Sequence, residues 1–483
     1  MVFSDYEQKK IIDEIVKAND SSLGTIIADI IKSNEDDRND MLELWNEYKG
    51  EVPIKKVSIS DPTKPNNKIA NDFRGMIINQ VVGYMFGNPV KYSISEGIYD
   101  KNKTALVQIE LDAFLKRNGY KKLDAETATY SSVCGKAFRL MYYADRIDQD
   151  GKSKIDLIMK NIKPWEATTI YNATVDEIEY AMIYYKVSHV ENDKTFERYK
   201  VEFYDNQNVY FYEETGEGNF VPDYTFGEFK QKHGFDYVPV IKFSNSALEM
   251  GDFEKVREAV DGYDKLISSA LNDSETFANA YLAFFGVKPS KEVLEEAKRM
   301  GAFYIPTDME SKTDVKFITK DIVIQNVTEI STIINNDIYR FASGVDMADE
   351  KFSGASQTGE SRKWKLFALE TKCKDKERYY EEALGRLFMI ASTFWRKLKN
   401  INISYEDITF TFSRNLPVDY STQDLVMLHG AGLLSTETAV GNIPIVNDVQ
   451  TELDRIDSDN AKSGLSLVDL EDDYTTTNSG SAA

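Results

Sequence analysis

The sequence FEKVREAVDGYDKLISSALNDSETFANAY, residues 253–281, decides the fold because it predicts one long amphipathic helix. Its apolar positions are spaced alternately three and four residues apart, which places them on one face of an α-helix. The positions are Phe253, Val256, Val260, Tyr263, Ile267, Ala270, Ser274, Phe277 and Tyr281, with only the small Ser274 interrupting the apolar face. Such a helix would be roughly 45 Å long at about 1.5 Å per residue.

Two more long helices are predicted, with a polar break between them. The second covers 322–345 and carries a stripe made of Val327, Ile330, Ile334, Ile338, Phe341 and Val345. The third covers 359–400 and is most amphipathic at Tyr380, Leu384, Leu387, Ala391, Phe394 and Leu398. The break, 346–358, has the sequence DMADEKFSGASQT. A heptad-like stripe is usually a core or a coiled-coil seam, so these helices are expected to pack on each other or on neighbouring copies.

The rest of the chain separates helical from strand-like regions. Residues 4–50, 73–84 and roughly 105–134 have helical patterns, whereas the proline-punctuated stretch 51–68 predicts a loop. Period-two alternation predicts strands at 137–143, 181–185, 199–204, 209–212, 238–243 and 401–413. A small module at 284–321 is expected to hold a helix at 293–300 and strands at 302–305 and 315–318. Residues 421–457 predict a helical module, and the tail 471–483 has the composition of a disordered segment. The fold class expected is α+β, in several domains.

Composition excludes several classes of protein. A chain of 483 residues is too long for one core, and its net charge of −22 argues against a broad basic surface for nucleic acid. The two cysteines, Cys134 and Cys373, have no metal-binding or redox spacing. The N-terminus lacks the pattern of a secretory signal, and no apolar run reaches the length of a membrane span. We therefore expect a soluble protein made in the cytoplasm, with no membrane partner.

Catalytic chemistry has little support in the sequence. No P-loop or dinucleotide-binding motif is present, and the three histidines lie in different regions of the chain. The acidic residues Asp346, Asp349 and Glu350 could hold a divalent cation, because carboxylate oxygens are ligands for magnesium. A solvated loop explains them better, since no flanking strand is predicted to fix their geometry. We expect no enzyme activity, no cofactor and no metal.

Several segments, in a fixed order from about 44 to 457, resemble one known family. They are Tyr48-Lys49-Gly50, the run from Asn71 to Val90 with Gly87 and Pro89, Cys134-Gly135-Lys136-Ala137, Val238-Pro239-Val240-Ile241 with Phe243 and Asn245, Leu271-Asn272-Asp273-Ser274, and Ser353-Gly354-Ala355 before a charged helix with Glu370, Lys372 and Lys376. The chain resembles the portal proteins of tailed bacteriophages, of the type found in siphophages of Gram-positive hosts. The polar residues 356–360 depart from the family, which often continues directly into the helix.

The resemblance implies a cyclic ring, usually dodecameric, at one capsid vertex, through which double-stranded DNA enters and leaves. The regions would be a wing at 1–250 with 401–420, stem helices at 251–282 and 322–345, a clip at 283–321, a tunnel loop at 346–358, a long helix at 359–400 and a crown at 421–470. Partners implied are the terminase large subunit, scaffold, major capsid protein and a head-completion or adaptor protein, besides further copies of the chain. The location implied is the virion, at the capsid portal vertex.

The acidic balance suits a DNA conduit, because each lysine or arginine against a phosphate adds a contact that would grip a moving duplex. The residues predicted to line the channel are Asp346, Met347, Asp349, Glu350, Lys351 and Phe352. Those predicted to pack the stem are Phe253, Val256, Val260, Tyr263, Ile267 and Phe277. Two alternatives remain open: another ring-forming head–tail adaptor, and a metal-dependent enzyme acting on nucleic acid.

Overall fold

The computed structural model describes residues 5–18, 20–59, 64–95, 99, 101–147, 151, 153–172, 177–191, 194–216, 218–278, 281–285, 290–292, 295, 314–318, 324–346, 366–415, 422–441 and 449–463. The chain forms two compact units, Met1–Asn415 and Leu416–Ala483. Helices and mainly antiparallel strands occupy separate regions of the first unit, which confirms the predicted α+β class.

Helices dominate the first part of the chain. Their bounds are α1 Asp5–Lys17, α2 Asp20–Ser33, α3 Glu35–Tyr48, α4 Pro53–Lys56, α5 Phe73–Phe86, α6 Lys101–Arg117 and α7 Tyr120–Cys134. The helices predicted within 4–50 and 73–84 are confirmed. The single helix predicted at 105–134 is wrong, because Gly119 adopts a left-handed conformation, with φ of 62°, and starts a new helix. Glycine takes this conformation without the steric cost of a side chain.

Antiparallel strands follow, and they confirm the predicted period-two segments. Their bounds are β1 Lys91–Ile94, β2 Lys136–Ile147, β3 Ser153–Ile162, β4 Ala167–Asn172, β5 Glu177–Glu191, β6 Lys194–Tyr204, β7 Asn208–Glu214, β8 Phe220–Pro222, β9 Lys230–Lys232 and β10 Val240–Ser244. One sheet has the order β10-β2-β3, and another the order β4-β5-β6-β7-β8 with β9 also paired to β7. Strands β3 and β4 were not among the predicted segments.

The two sheets are covered by helices. On β6, Val201 and Phe203 are buried, and together with Leu23 and Ile27 of α2 they belong to one apolar cluster. The alternation predicted for this strand therefore places its apolar side chains toward a helix. Val201 pairs with Tyr184 of β5, whose hydroxyl accepts a hydrogen bond from Asn34 Nδ2 at 2.7 Å.

Three long helices are seen among the described residues, and the first of them is shorter than predicted. They are α8 Arg257–Ala278, after a 3-10 turn at Glu254–Val256, α9 Ile324–Ala342, and α10 Phe367–Phe394, which continues as a π-turn to Lys399. Helix α8 does not reach Tyr281, so that part of the prediction is wrong. Tyr281 begins β11, Tyr281–Phe285, which pairs with β12, Asp314–Ile318. A pairing partner about thirty residues away outweighs helical periodicity in this aromatic run.

Helix α10 lies at the centre of the largest apolar cluster. The predicted core positions Tyr380, Leu384, Leu387, Ala391 and Phe394 are all buried, whereas Leu398 is exposed. The predicted start of this helix at 359, the helix at 293–300 except for residue 295, and the strand at 302–305 lie outside the described residues.

The chain returns to its N-terminal part after α10. Strand β13, Ile408–Thr411, pairs antiparallel with β1 over four residues, from Lys91 with Thr411 to Ile94 with Ile408. The strand predicted at 401–413 is therefore real but shorter, because a 3-10 turn at Tyr405–Asp407 precedes it. This pairing attaches residues 401–415 to the region of β1.

The second unit is helical where it is described, as predicted. It contains α11 Thr422–Gly430, α12 Thr436–Gly441 and α13 Val449–Ser463, and α12 contacts both of the others. Across the described part of the chain, no helix has both the length and the hydropathy to cross a membrane.

Candidate functional site

The two helices predicted to form the stem, α8 and α9, contact each other, and we call them the stem pair. Its base is an apolar cluster in which Phe253, Val256 and Val260 meet Ile338 and Ala342. Burial then decreases along α8: Tyr263 and Ile267 are half-buried, and the side chain of Phe277 lies outside the described part of the structure. Three of the six predicted packing residues are therefore buried within one copy of the chain.

Helix α9 carries two apolar stripes rather than one. Ile338 and Ala342 are buried, whereas Ile333 and Phe341 are each 60% exposed and Ile330 is 46% exposed. At about 100° per residue the exposed side chains lie roughly 100° around the helix from the buried ones. The stripe predicted from sequence thus divides into a half used within the chain and a half left at its surface.

A polar stripe on α8 holds an extended segment that begins at the end of the predicted loop 51–68 and continues to Asn71. The backbone N–H groups of Asn71, Ile69 and Asn67 donate to Asp264 Oδ1, Ser268 Oγ and Asn272 Oδ1, at 2.9, 3.0 and 2.7 Å. Two residues of extended chain advance about 6.6 Å and four residues of helix about 6 Å, so the two spacings match. We call residues 67–71 the strap.

Sequence reasoning missed the strap, although a signal was present. Asp264, Ser268 and Asn272 are spaced by four residues and interrupt the apolar pattern of α8 on one side. Asp264 and Ser268 are buried, so their oxygens require hydrogen-bond donors inside the protein.

The first turn of α8 is fastened by buried charges. Arg74 on α5 lies 2.9 Å from Glu47 Oε2 and 2.6 Å from Asp261 Oδ1, and Arg257 lies 2.5 Å from Glu47 Oε1. The side chains of Arg74 and Glu47 are only 1% and 2% exposed. Hydrogen bonds to Glu47 raise the pKa of Arg257, so this guanidinium stays charged. Removing one member of such a group would leave a buried charge without its partner.

A second buried ionic group joins α10 to the stem pair. Lys376 Nζ lies 2.6 Å from Asp252 Oδ2, and Lys372 Nζ lies 3.2 Å from Asp252 Oδ1. Lys372 Nζ also donates to the carbonyl of Ala342, the last residue of α9, at 2.9 Å. Burial opposes ionisation of Asp252, but attraction to the two ammonium groups exceeds it and holds the pKa of the carboxyl below its usual range.

Lys376 responds to the same surroundings in a different way. Desolvation lowers the pKa of its ammonium and outweighs the attraction of Asp252, with Lys372 adding repulsion. The contacts of Nζ with Asp252 and with Ser132 Oγ, at 2.6 and 2.5 Å, fit a charged ammonium that donates to both oxygens. We therefore treat the pair as ionised at neutral pH.

Of the predicted channel residues, only Asp346 lies within the described structure. Its Oδ2 accepts a hydrogen bond from Asn335 Nδ2 at 3.4 Å, so it lies against the last two turns of α9. Burial and then the charge of Asp346 raise the pKa of Tyr339 to about 12. Met347, Asp349, Glu350, Lys351 and Phe352 lie outside the described residues.

Among the described residues, no group of three or more histidine, cysteine, aspartate or glutamate side chains could hold a metal ion. The ring nitrogens of His233 face backbone groups: Nδ1 accepts from Phe235 N–H at 3.2 Å, and Nε2 lies 3.0 Å from the Asp205 carbonyl. The hydrogen bonds and ion pairs described above attach the two stem helices and Asp346 to the rest of the first unit.

Comparison with known proteins agrees with this architecture. The family model described as phage portal protein, SPP1 Gp6-like, matches residues 27–464. The portal protein of Bacillus phage SPP1 is 24% identical over 415 residues, covering 83% of this chain and 77% of that protein. The portal protein of Clostridium phage phiCD119 is 24% identical over 464 residues, covering 92% and 97%. The chain therefore belongs to the SPP1 Gp6-like family of phage portal proteins.

Proposed function

We propose that copies of this chain form a closed ring at a capsid vertex and that double-stranded DNA enters and leaves through its central channel. The portal function follows from family membership over most of the chain. The ring, its channel and its docking partners are proposals for this chain. A subunit count of about twelve, implied by the resemblance, is part of the proposal, since identical head-to-tail interfaces can close into a ring.

The observation that carries the proposal is the exposed apolar stripe of α9. Ile330, Ile333 and Phe341 stay exposed in a single copy, although Ile338 and Ala342 of the same helix are buried. Apolar side chains aligned along a surface helix mark a contact with another protein surface. A neighbouring stem pair would cover this stripe, and the repetition of that contact would close the ring.

We assign the regions of the ring as follows. The wing comprises 1–250 with 401–420, the stem 251–282 and 322–345, the clip 283–321, the tunnel loop 346–358, the long helix 359–400 and the crown 421–470. The pairing of β13 with β1 supports placing 401–415 in the wing, and the separate compact unit after Asn415 supports a distinct crown. The β11–β12 hairpin supports a small clip beyond the stem pair.

The tunnel loop is the proposed point of DNA passage. Its first residue, Asp346, lies against the end of α9, and Asp349 and Glu350 follow in the sequence. An acidic surface repels the phosphate backbone and forms few salt-dependent contacts, so a duplex can slide past it. The terminase, scaffold, major capsid protein and a head-completion protein are the proposed partners in the virion.

Electron microscopy of the purified chain, beside a nuclease assay, tests the proposal against its alternatives. We expect turbine-shaped rings with a central hole and no nuclease activity. Monomers that cleave DNA and lose the activity with a chelator would instead indicate a metal-dependent enzyme. Rings that sit on completed heads but are dispensable for DNA packaging would favour a head–tail adaptor.

Charge reversal tests the role of the loop. The triple variant Asp346→Lys, Asp349→Lys, Glu350→Lys should form rings but package DNA slowly or not at all. An unchanged rate of packaging by this variant would contradict the assignment of these residues to the channel.

A further inference from the structure

The two sides of the proposed tunnel loop meet the same helix. The structure describes the chain up to Asp346, the first residue of the loop, and again from Leu366, beyond the end of the loop. Val345 and Leu366 are both buried in one cluster with Val81, Tyr84 and Met85 of α5. Helix α5 therefore contacts the segment that leads into the loop and the segment that leads out of it.

Gln80 of α5 binds Val345, the residue just before the loop. Its Nε2 donates to the carbonyl of Val345 at 2.8 Å, and its Oε1 accepts from the N–H of Val345 at 2.8 Å. One side-chain amide thus satisfies both backbone groups of Val345, as a neighbouring strand would. A Cβ atom at Gly344 would lie only 3.2 Å from Gln80 Oε1, so glycine permits this close approach.

Tyr84 of the same helix binds Glu370, which follows the loop in the chain. Its hydroxyl donates to Glu370 Oε2 at 2.8 Å, and Glu370 lies in the first turn of α10. Arg414 fixes the same carboxylate through Nε and Nη2, at 2.9 and 3.1 Å. Burial and the hydrogen bond to Glu370 raise the pKa of Tyr84, so its hydroxyl remains a donor across the physiological range.

The spacing of Gln80 and Tyr84 is one helical turn. Residues four apart lie on one face of a helix, separated by about 6 Å along its axis. We propose that Gln80 and Tyr84 are positioning residues, which set the points where the tunnel loop leaves and rejoins the body of each subunit. This rests on the proposed function of the loop. Arg74 of the same helix lies 2.6 Å from Asp261 of α8, so α5 also links the loop to the first stem helix.

Variants of the full-length chain test the proposal through three readouts: ring formation, amide hydrogen exchange, and DNA content of heads assembled with the variant. Gln80→Leu removes both hydrogen bonds to Val345 and should give normal rings, exchange at the Val345 amide about tenfold faster, and a several-fold loss of packaged DNA. Gln80→Glu keeps the acceptor but loses the donor and should lie between Gln80→Leu and the wild type.

Tyr84→Phe removes only the hydroxyl and keeps the aromatic side chain packed in its cluster. This variant should still assemble into rings, but amide exchange in the first turn of α10 should be faster and less DNA should be packaged. Asn79→Ala is the matched control, because Asn79 is an exposed neighbour on α5 whose side chain meets only the Tyr48 hydroxyl, at 3.4 Å, in the contacts seen. This variant should package DNA as the wild type does.

Three results would overturn the positioning role. They are normal packaging by ring-forming Gln80→Leu and Tyr84→Phe, unchanged exchange at Val345 in Gln80→Leu, and a loss of packaging by Asn79→Ala as large as that of Gln80→Leu. Failure of the wild-type chain itself to form rings is a separate result, and it would contradict the proposed function rather than these two residues.

Discussion

The ammonium of Lys376 lies 2.6 Å from a carboxylate oxygen of Asp252, and both side chains are buried. Asp252 directly precedes the turn that leads into α8, while Lys376 lies on α10. Lys372, one turn earlier on α10, also reaches the carbonyl of Ala342 at the end of α9. Two lysines of one helix thus join the beginning of the first stem helix to the end of the second.

Removing Lys376 should destabilise the subunit strongly. We expect Lys376→Met to lower the free energy of unfolding by about 3–5 kcal/mol, because the buried carboxylate of Asp252 loses its nearest partner. Urea denaturation measures the change. Arg378→Met is the control, since Arg378 is exposed on the same helix and its one ion pair within the described residues is with Asp375, at 3.6 Å. A change of less than about 1 kcal/mol in Lys376→Met would contradict the pairing.

The same carboxylate predicts a pH dependence. The pKa of Asp252 is lower in the folded chain than the ordinary value of about 3.9, so its ionisation stabilises the fold fully above about pH 4. That stability is lost as the pH falls below this value toward the lower folded pKa. The difference in urea midpoint between the wild type and Asp252→Asn should therefore be constant from pH 7 to 5 and shrink below pH 4. A constant difference down to pH 2 would contradict an ionised Asp252.

The strap should depend on the polar stripe of α8. Ser268→Ala and Asn272→Ala each leave a backbone N–H of the strap without its acceptor, which costs about 1–3 kcal/mol for a buried group. Hydrogen exchange should become faster at the Ile69 amide in Ser268→Ala and at the Asn67 amide in Asn272→Ala. Lys265→Ala, an exposed change on the same helix, should leave both amides as in the wild type. Equal exchange in all three variants would show that these hydrogen bonds do not hold the strap.

The exposed stripe of α9 should be needed for ring formation but not for the folding of a single subunit. We expect the double variant Ile333→Asp, Phe341→Asp to stay folded, within about 0.5 kcal/mol per surface substitution, and to lose the ability to form rings. Circular dichroism and mass measurement in solution separate the two effects. Asn336→Asp adds one negative charge at an exposed position of α9 outside the stripe and should still form rings. Rings formed by the double variant would rule out the stripe as the interface.

The spacing of apolar residues predicted those helices and strands whose burial pattern is set by their own sequence. Helix α10 follows its pattern because its predicted positions from Tyr380 to Phe394 are buried. On β6, the alternating Val201 and Phe203 are buried in one cluster against α2. The end of α8 could not be predicted, since Tyr281 pairs with Ile318 across a long stretch of chain. The break at Gly119 could have been recognised, because an isolated glycine inside a helical pattern is a weak point.

The sequence predicted the apolar residues at the base of the stem pair but not the polar contacts that hold the stem pair in place. The stem residues Phe253, Val256 and Val260 are buried as the stripe implied. The contacts that fix the stem, such as Arg74 with Glu47 and Gln80 with Val345, join residues from 27 to 265 positions apart. No local pattern specifies such pairs, because polar side chains on a helix face are usually solvated. The channel assignment of 346–358 stays a prediction.

The most direct test of the central claim is the mass and shape of the purified full-length chain in solution, measured by native mass spectrometry with electron microscopy of the same sample. The proposal predicts one assembly with a mass that is a whole multiple of the chain mass, about twelve copies, arranged around a central hole. A monomer at every concentration tested, or an open filament without a closed ring, would contradict it.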